Sequence, residues 1–506
     1  MGLFCCSKLL EAALVAALGG LLFGFDTVVI SGAEQYIQKL WSLSGVTQGI
    51  CISAALWGTV LGSLIGVFPA ERLGRKRTLL IVGILYLVSS AGAAVATGAA
   101  SFVVARLLGG VGVGLSSVAS PLYVSEIAPA DIRGRLTGLF QLNIVVGIIL
   151  AFMSNYLVAL LIPADLAWRV MVGIMVVPSA CFTCLCLGIP ESPRWLLSVG
   201  HSAAAQRTFH EINPDMSGTE LATLVRSVEL ALQSEGGMAD VQSLKTPMSL
   251  AFAVAMFNQL SGINAMLYFA PRIFQWSGLG HSAAMLETVG IGLTNLIFTS
   301  IGIQLIDKLG RRTLLAIGAV GGVCSLGACS WAFATKKMSL VPVYVFAFVG
   351  AHAIGQGTVI WVFISEIFPP KHRAAGQTLG SSTHWLFAAM ITLVFPAVAE
   401  VSSPAKIFGF FCSMMALSLM WVLYCVPETK GVPLEDIEIL MGMSPQSTCK
   451  DDPHKESDGE AERLVNRCSV RTAYTEGSAT VVGHMVSAAN RNELVGAHLL
   501  LTGKKQ

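Results

Sequence analysis

Glu71-Arg-Leu-Gly-Arg-Lys-Arg77 recurs as Asp307-Lys-Leu-Gly-Arg-Arg-Thr313, an offset of 307 − 71 = 236 residues. Two further pairs keep nearly the same distance. Glu126-Ile-Ala-Pro-Ala-Asp-Ile-Arg133 returns as Glu366-Ile-Phe-Pro-Pro-Lys-His-Arg373 (366 − 126 = 240), and Pro190-Glu-Ser-Pro returns as Pro427-Glu-Thr-Lys (427 − 190 = 237). Three unrelated motifs at one offset indicate a duplicated unit. A rule that basic residues gather on one side of a membrane explains the charges, but not the repeated Leu-Gly and Glu-Ile-x-Pro frames.

The composition says what surrounds the repeat. Of 506 residues only 32 Lys+Arg and 30 Asp+Glu are charged, 12% of the chain, while 54% are hydrophobic and the mean hydropathy is +0.70. That charge is about half the usual share and cannot cover a water-facing surface. The chain therefore reads as an all-α membrane protein. A net charge of +2 gives no reason to expect a nucleic-acid partner. Most of the 12 cysteines lie in apolar stretches, where Cys behaves as a small hydrophobe, so neither a disulfide framework nor a zinc site is expected.

Apolar runs fall near 10–31, 48–69, 78–98, 101–122, 136–161, 168–189, 248–275, 283–306, 313–334, 341–364, 375–399 and 405–426. Each approaches the roughly 20 residues that cross about 30 Å of hydrocarbon as a helix. The first run lacks a cleavage site and is expected to stay in the mature chain. Six spans per copy make the copies parallel, with a pseudo-twofold axis along the membrane normal. Arg72, Arg75, Lys76, Arg77, Arg133, Arg135, Lys308, Arg311, Arg312, Lys371 and Arg373 cluster after spans two, four, eight and ten. This bias predicts that both termini and the central loop are cytoplasmic.

The organisation reads as a six-helix half over 1–190, a cytoplasmic linker over 191–246, a second half over 247–427 and a cytoplasmic tail over 428–506, largely disordered after 444. In the linker, Leu221, Leu224, Val225, Val228 and Leu232 stand at helical spacing, which predicts an amphipathic helix on the membrane surface or under the bundle.

The duplicated motifs, together with Pro121-Leu-Tyr-Val-Ser-Glu126, Pro190-Glu-Ser-Pro-Arg-Trp195, Gln259-Leu-Ser-Gly-Ile-Asn264 and Pro427-Glu-Thr-Lys-Gly431, resemble the sugar porter family of the major facilitator superfamily over about residues 9–440. The resemblance implies a twelve-helix bundle, a central monosaccharide site between the halves, and alternating access. Matched residue by residue, it implies sugar contacts from Gln141, Gln259, Asn264, Asn295 and Trp361, with Trp385 a second aromatic candidate. Asn258 stands where the family usually has Gln, and His384 where Asn or Gln is common.

The residue types suit that chemistry. A polyol needs amides that both donate and accept, and an aromatic face for the apolar face of the ring. Span 7 offers Asn258, Gln259, Asn264 and Tyr268. On a continuous helix Asn264 and Tyr268 would share a face, with Gln259 about 140° away.

Asp26 lies within span 1, where a carboxyl reads as functional, and its expected partner is Arg106 of span 4. Family members coupled to protons resemble this chain in having Asp at that position. The repeat places Asn264 at the equivalent position, since 26 + 238 = 264. Glu71, Glu126, Asp307 and Glu366 are expected to gate with Arg75, Arg133, Arg311, Arg312 and Arg373, pairing across neighbouring helix ends when the inner side closes. Gly109-Gly-Val-Gly-Val-Gly114 lies inside a span with no preceding strand, so it reads as a helix-packing surface and not a dinucleotide loop. Cys5 and Cys6 are candidates for palmitoylation.

The expectation is a plasma-membrane transporter of a hexose or pentose in symport with a proton, embedded in the bilayer. It is not an enzyme, and no cofactor or metal is called for. The alternatives are an uncoupled uniporter, a polyol or inositol transporter, and a sugar sensor.

Overall fold

In the computed structural model, the described residues are 8–129, 132–214, 216–234, 244–369 and 372–432, without the side chains of 133–135, 231–234 and 374. The readings for Cys5, Cys6, Leu232 and the tail lie outside these residues.

Among the described residues, twelve helices are long and apolar enough to cross a membrane. Spans 1 to 6 are Lys8–Leu40, Gly45–Ile65, Arg75–Ala94, Ala99–Ile127, Leu136–Leu161 and Ala164–Gly188. Spans 7 to 12 are Lys245–Tyr268, His281–Leu309, Arg311–Ala334, Met338–Ile367, Ala375–Val401 and Pro404–Cys425. The apolar runs therefore locate every span, while several ends lie further out. Span 1 continues past Ser31 to Leu40 because Glu34 and Gln38 find partners there, and span 4 continues to Ile127, which puts Glu126 on the same helix as Arg106.

Spans 1 and 7 are the most buried of the spans, with 78% and 72% of their apolar cores buried, followed by span 2 at 67% and span 4 at 61%. Spans 1 and 7 occupy corresponding places in the two copies. Elsewhere Leu64, Leu161, Val177, Leu187, Val394 and Leu423 are exposed, as side chains facing lipid should be.

Small residues bring helices together. A Cβ on Gly110 or Gly58 would run into the backbone of the facing span, and one on Gly114 would stand 2.5 Å from the Ser63 nitrogen. The stretch 109–114 is thus a backbone-to-backbone seam between spans 2 and 4, as read from the sequence. Gly318 and Gly355 make the matching seam between spans 9 and 10.

Two spans are irregular. Span 10 passes through a π turn at Ala353–Gly357. Span 7 breaks after Leu260: Gly262 takes φ +84°, and the helix restarts at Ile263 and again at Ala270. A left-handed residue is what glycine accepts at least cost.

The linker forms helices Pro193–Ser198, Ser202–Ile212 and Gly218–Ser234. The apolar face of the third helix packs on protein: Leu221, Leu224, Val225 and Val228 meet Trp195, Leu196, Leu197, Ala205 and Phe209. Glu220 accepts from the Ser217 hydroxyl (2.7 Å) and amide (2.9 Å), which caps the third helix and holds the Glu220 carboxyl below its usual value.

Candidate functional site

The break in span 7 builds the site. With the helix interrupted at Gly262, Gln259 and Asn264 are not 140° apart on one cylinder. The Asn264 amide donates to Gln259 Oε1 at 2.6 Å, and Gln259 Nε2 reaches Asn258 Oδ1 at 2.9 Å. The same nitrogen lies 3.0 Å from Nε2 and 3.2 Å from Nδ1 of His384 on span 11. Asn258, Gln259 and Asn264 are all buried, so these bonds satisfy groups that would otherwise be costly at membrane depth.

An aromatic wall adjoins the amides. The Trp361 and His384 rings are 5.0 Å apart, His384 meets Trp385 edge-on at 4.7 Å, and Trp385 lies 5.3 Å from Phe23 of span 1. The structure therefore gathers Asn258, Gln259, Asn264, Trp361, His384 and Trp385. It does not join Gln141 or Asn295 to them by a bond among the described residues; both are half-buried, and Asn295 accepts from Thr299.

Asp26 and Arg106 pair as expected. Arg106 Nη1 lies 2.5 Å from Asp26 Oδ1, and Nη2 donates to the Asp26 carbonyl at 3.0 Å. Both residues are buried, and Asp26 Oδ2 has no hydrogen-bond partner among the described residues. Tyr268 is buried at the end of the Ile263–Tyr268 segment of span 7, which packs against span 1. The pair of the first half thus adjoins the broken helix of the second.

The repeated motifs form two matching nodes at the linker end of the bundle. In the first, Glu191 accepts from the Arg75 and Lys76 amides, Arg75 pairs with Glu126 at 2.7 Å, and Ser192 donates to Glu126 at 2.5 Å. In the second, Glu428 accepts from the Arg311 and Arg312 amides, Arg311 pairs with Glu366 at 2.7 Å, and Thr429 donates to Glu366 at 2.6 Å. A carboxylate at a helix N-terminus satisfies free amides and opposes the dipole.

These nodes hold several of the residues that the sequence offers as candidate gates. Each of the ion pairs described here joins spans of one half. Arg311 also meets Asp307 of span 8 at 3.3 Å across the Gly310 turn, and that carboxylate is largely exposed. Arg312 has no carboxylate side-chain partner among the described residues; its guanidinium donates to the Leu423 carbonyl. Glu71 contributes its backbone carbonyl to Trp195 Nε1. Arg373 keeps Nε and Nη2 buried without a hydrogen-bond partner among the described residues, and the Arg133 side chain lies outside them.

Sequence reasoning missed Glu34, Gln48, Glu191 and Glu428. The last two sit in the Pro-Glu-Ser and Pro-Glu-Thr motifs, whose recurrence was the available signal. Glu34, fully buried, accepts from Gln48 and from Arg272.

Two parallel six-helix copies around a buried amide-and-aromatic cluster define a transporter of the major facilitator fold. The chain belongs to the sugar (and other) transporter family, which matches residues 12–441. It is 33% identical to the arabinose-proton symporter of Bacillus subtilis over 432 residues, covering 84% of this chain and 93% of that protein. It is 32% identical to the D-xylose-proton symporter of Escherichia coli over 474 residues, covering 86% and 96%. The inward-open structure of the xylose transporter XylE from E. coli superposes with a TM-score of 0.77 at 31% identity, covering 85% of this chain and 99% of that one. The resemblance carried by the motifs is borne out. The protein is a multi-pass integral membrane transporter that works by alternating access, and its relatives are transporters, not enzymes.

Proposed function

We propose that the protein imports a pentose or hexose together with a proton across the plasma membrane, with the linker end of the bundle in the cytoplasm. The observation that carries the coupling is the buried Asp26–Arg106 pair, in which one carboxylate oxygen stays unbonded. That oxygen is where a proton is taken up when the arginine moves away. Proton and sugar are then linked through the conformation both favour. The amide cluster, Trp361 and Trp385 supply the polyol and ring-face contacts. The arabinose-proton and xylose-proton symporters it resembles support the same chemistry.

The test is uptake of labelled arabinose, xylose, glucose, galactose and inositol into proteoliposomes with and without an inward proton gradient. Wild-type accumulation of one or more monosaccharides rises with the gradient and falls with a protonophore. Asp26→Asn abolishes gradient-driven accumulation, while exchange at equal sugar concentrations persists. Wild-type uptake indifferent to both treatments would make Asp26 a structural partner of Arg106 and the protein a uniporter.

A further inference from the structure

Glu34 and Arg272 stand at near-equivalent positions of the internal repeat, whose motifs recur at offsets of 236 to 240. Their separation, 272 − 34 = 238, equals that of Asp26 and Asn264, 264 − 26 = 238. Positions that a twofold axis exchanges touch each other only where the axis passes between them. These two touch. Arg272 Nε donates to Glu34 Oε1 at 3.1 Å and Nη2 to Oε2 at 2.6 Å, a two-pronged pair between span 1 and the segment that follows span 7.

The pair is built in from both sides. Glu34 has no exposed side-chain surface and also accepts from Gln48 of span 2 at 2.5 Å; Arg272 is 15% exposed and donates to Gln38 at 2.7 Å. Nearby, the Tyr36 hydroxyl lies 3.0 Å from His281 Nε2 at the start of span 8, a second polar contact between the two halves. All of this is at the end of the bundle away from the linker. At the linker end, the ion pairs described above stay within one half. Among the described residues, charge pairing between the halves is therefore one-sided. A buried ion pair holds only while its geometry is complete, because each partner alone would be an uncompensated charge.

We propose that Glu34 and Arg272 form an axial latch that keeps the end away from the linker closed and must open in every transport cycle. The inference rests on the alternating-access reading, and both are positioning residues that act on the halves and not on the sugar. Opening the latch moves both charges into water, which re-solvates them, so the complete pair closes and the separated pair tolerates the open state. Removing one charge leaves the other buried without its partner only in the closed state, which shifts the population toward opening.

Spin labels at Val46 on span 2 and at Thr335 after span 9, exposed positions of opposite halves at that end, report the opening as a distance in full-length protein in lipid nanodiscs. Wild type should be dominated by the short distance. Glu34→Gln and Arg272→Gln should each raise the ratio of long to short distance about tenfold, and the reversed pair Glu34→Arg/Arg272→Glu should return it toward wild type. Equilibrium binding of xylose or glucose should change by less than about threefold, a readout separate from the proton-coupling test. If one neutral variant does not fold, Arg272→Lys, which keeps the charge and loses the second prong, should give a smaller shift in the same direction. Unchanged distances in folded neutral variants would overturn the latch, as would a shift that charge reversal fails to correct.

Discussion

Trp361 stands with its indole 5.0 Å from His384, and its backbone carbonyl accepts from Gln377. An aromatic platform contributes about 1 kcal/mol beyond its buried area. Trp361→Ala should therefore cut uptake at low sugar concentration about tenfold, through KM, while membrane expression stays normal. Normal uptake by a well-expressed variant would remove Trp361 from the site. Asn258, Gln259 and Asn264 were legible in the sequence because amides inside an apolar run need a reason to be there. Their bonding was not, since it depends on one glycine breaking the helix between them. His384 was likewise a candidate from the family resemblance, but its contact with Gln259 was not legible, because nothing in a local sequence window brings span 11 against span 7.

At the scale of the helix, the loops before spans 3 and 9 turn through glycines of the same conformation. Gly74 has φ +94° and ψ 166°, and Gly310 has φ +91° and ψ 165°. This region is nearly closed to other residues and costs them about 1–3 kcal/mol. A Cβ on Gly310 would also press on the Glu428 carboxyl carbon at 2.7 Å. Gly310→Ala should lower the melting temperature by about 2 °C or more, whereas Gly98→Ala, in extended backbone with nothing within 4 Å, should leave it unchanged. Thermal unfolding of the purified variants decides it, and equal melting temperatures would refute the strain. The Leu-Gly frame of the repeat thus has a mechanical meaning. Charge counting alone could not supply it.

For the whole molecule, the balance between open states depends on which charges are paired in each. The latch end is closed here while the Arg373 guanidinium, at the linker end, lacks a hydrogen-bond partner on two of its nitrogens among the described residues. Buried guanidinium nitrogens left unsatisfied in one state favour the other. Arg373→Ala should therefore stabilise the conformation described here. Equilibrium sugar binding should stay within about threefold of wild type while exchange slows about tenfold, because the return step becomes uphill. Loss of binding by a folded variant would remove Arg373 from the gate. The twelve spans and their twofold relation were legible because lipid imposes length and apolarity on every crossing segment. The latch was not, because one acid in span 1 and one base after span 7 are unremarkable until the repeat offset superposes them.

The matching nodes also set an order of events during synthesis. Glu191 follows span 6 and Glu428 follows span 12, yet each closes the start of a helix three spans earlier in its own half. The Arg75 amide waits for a carboxylate 116 residues downstream, and the Arg311 amide for one 117 residues downstream. The first half thus carries its own clasp and can lock before the ribosome has made span 7. The second cannot lock until its last crossing is complete, so a nascent chain halted within spans 7 to 12 holds one finished half beside an unclasped one.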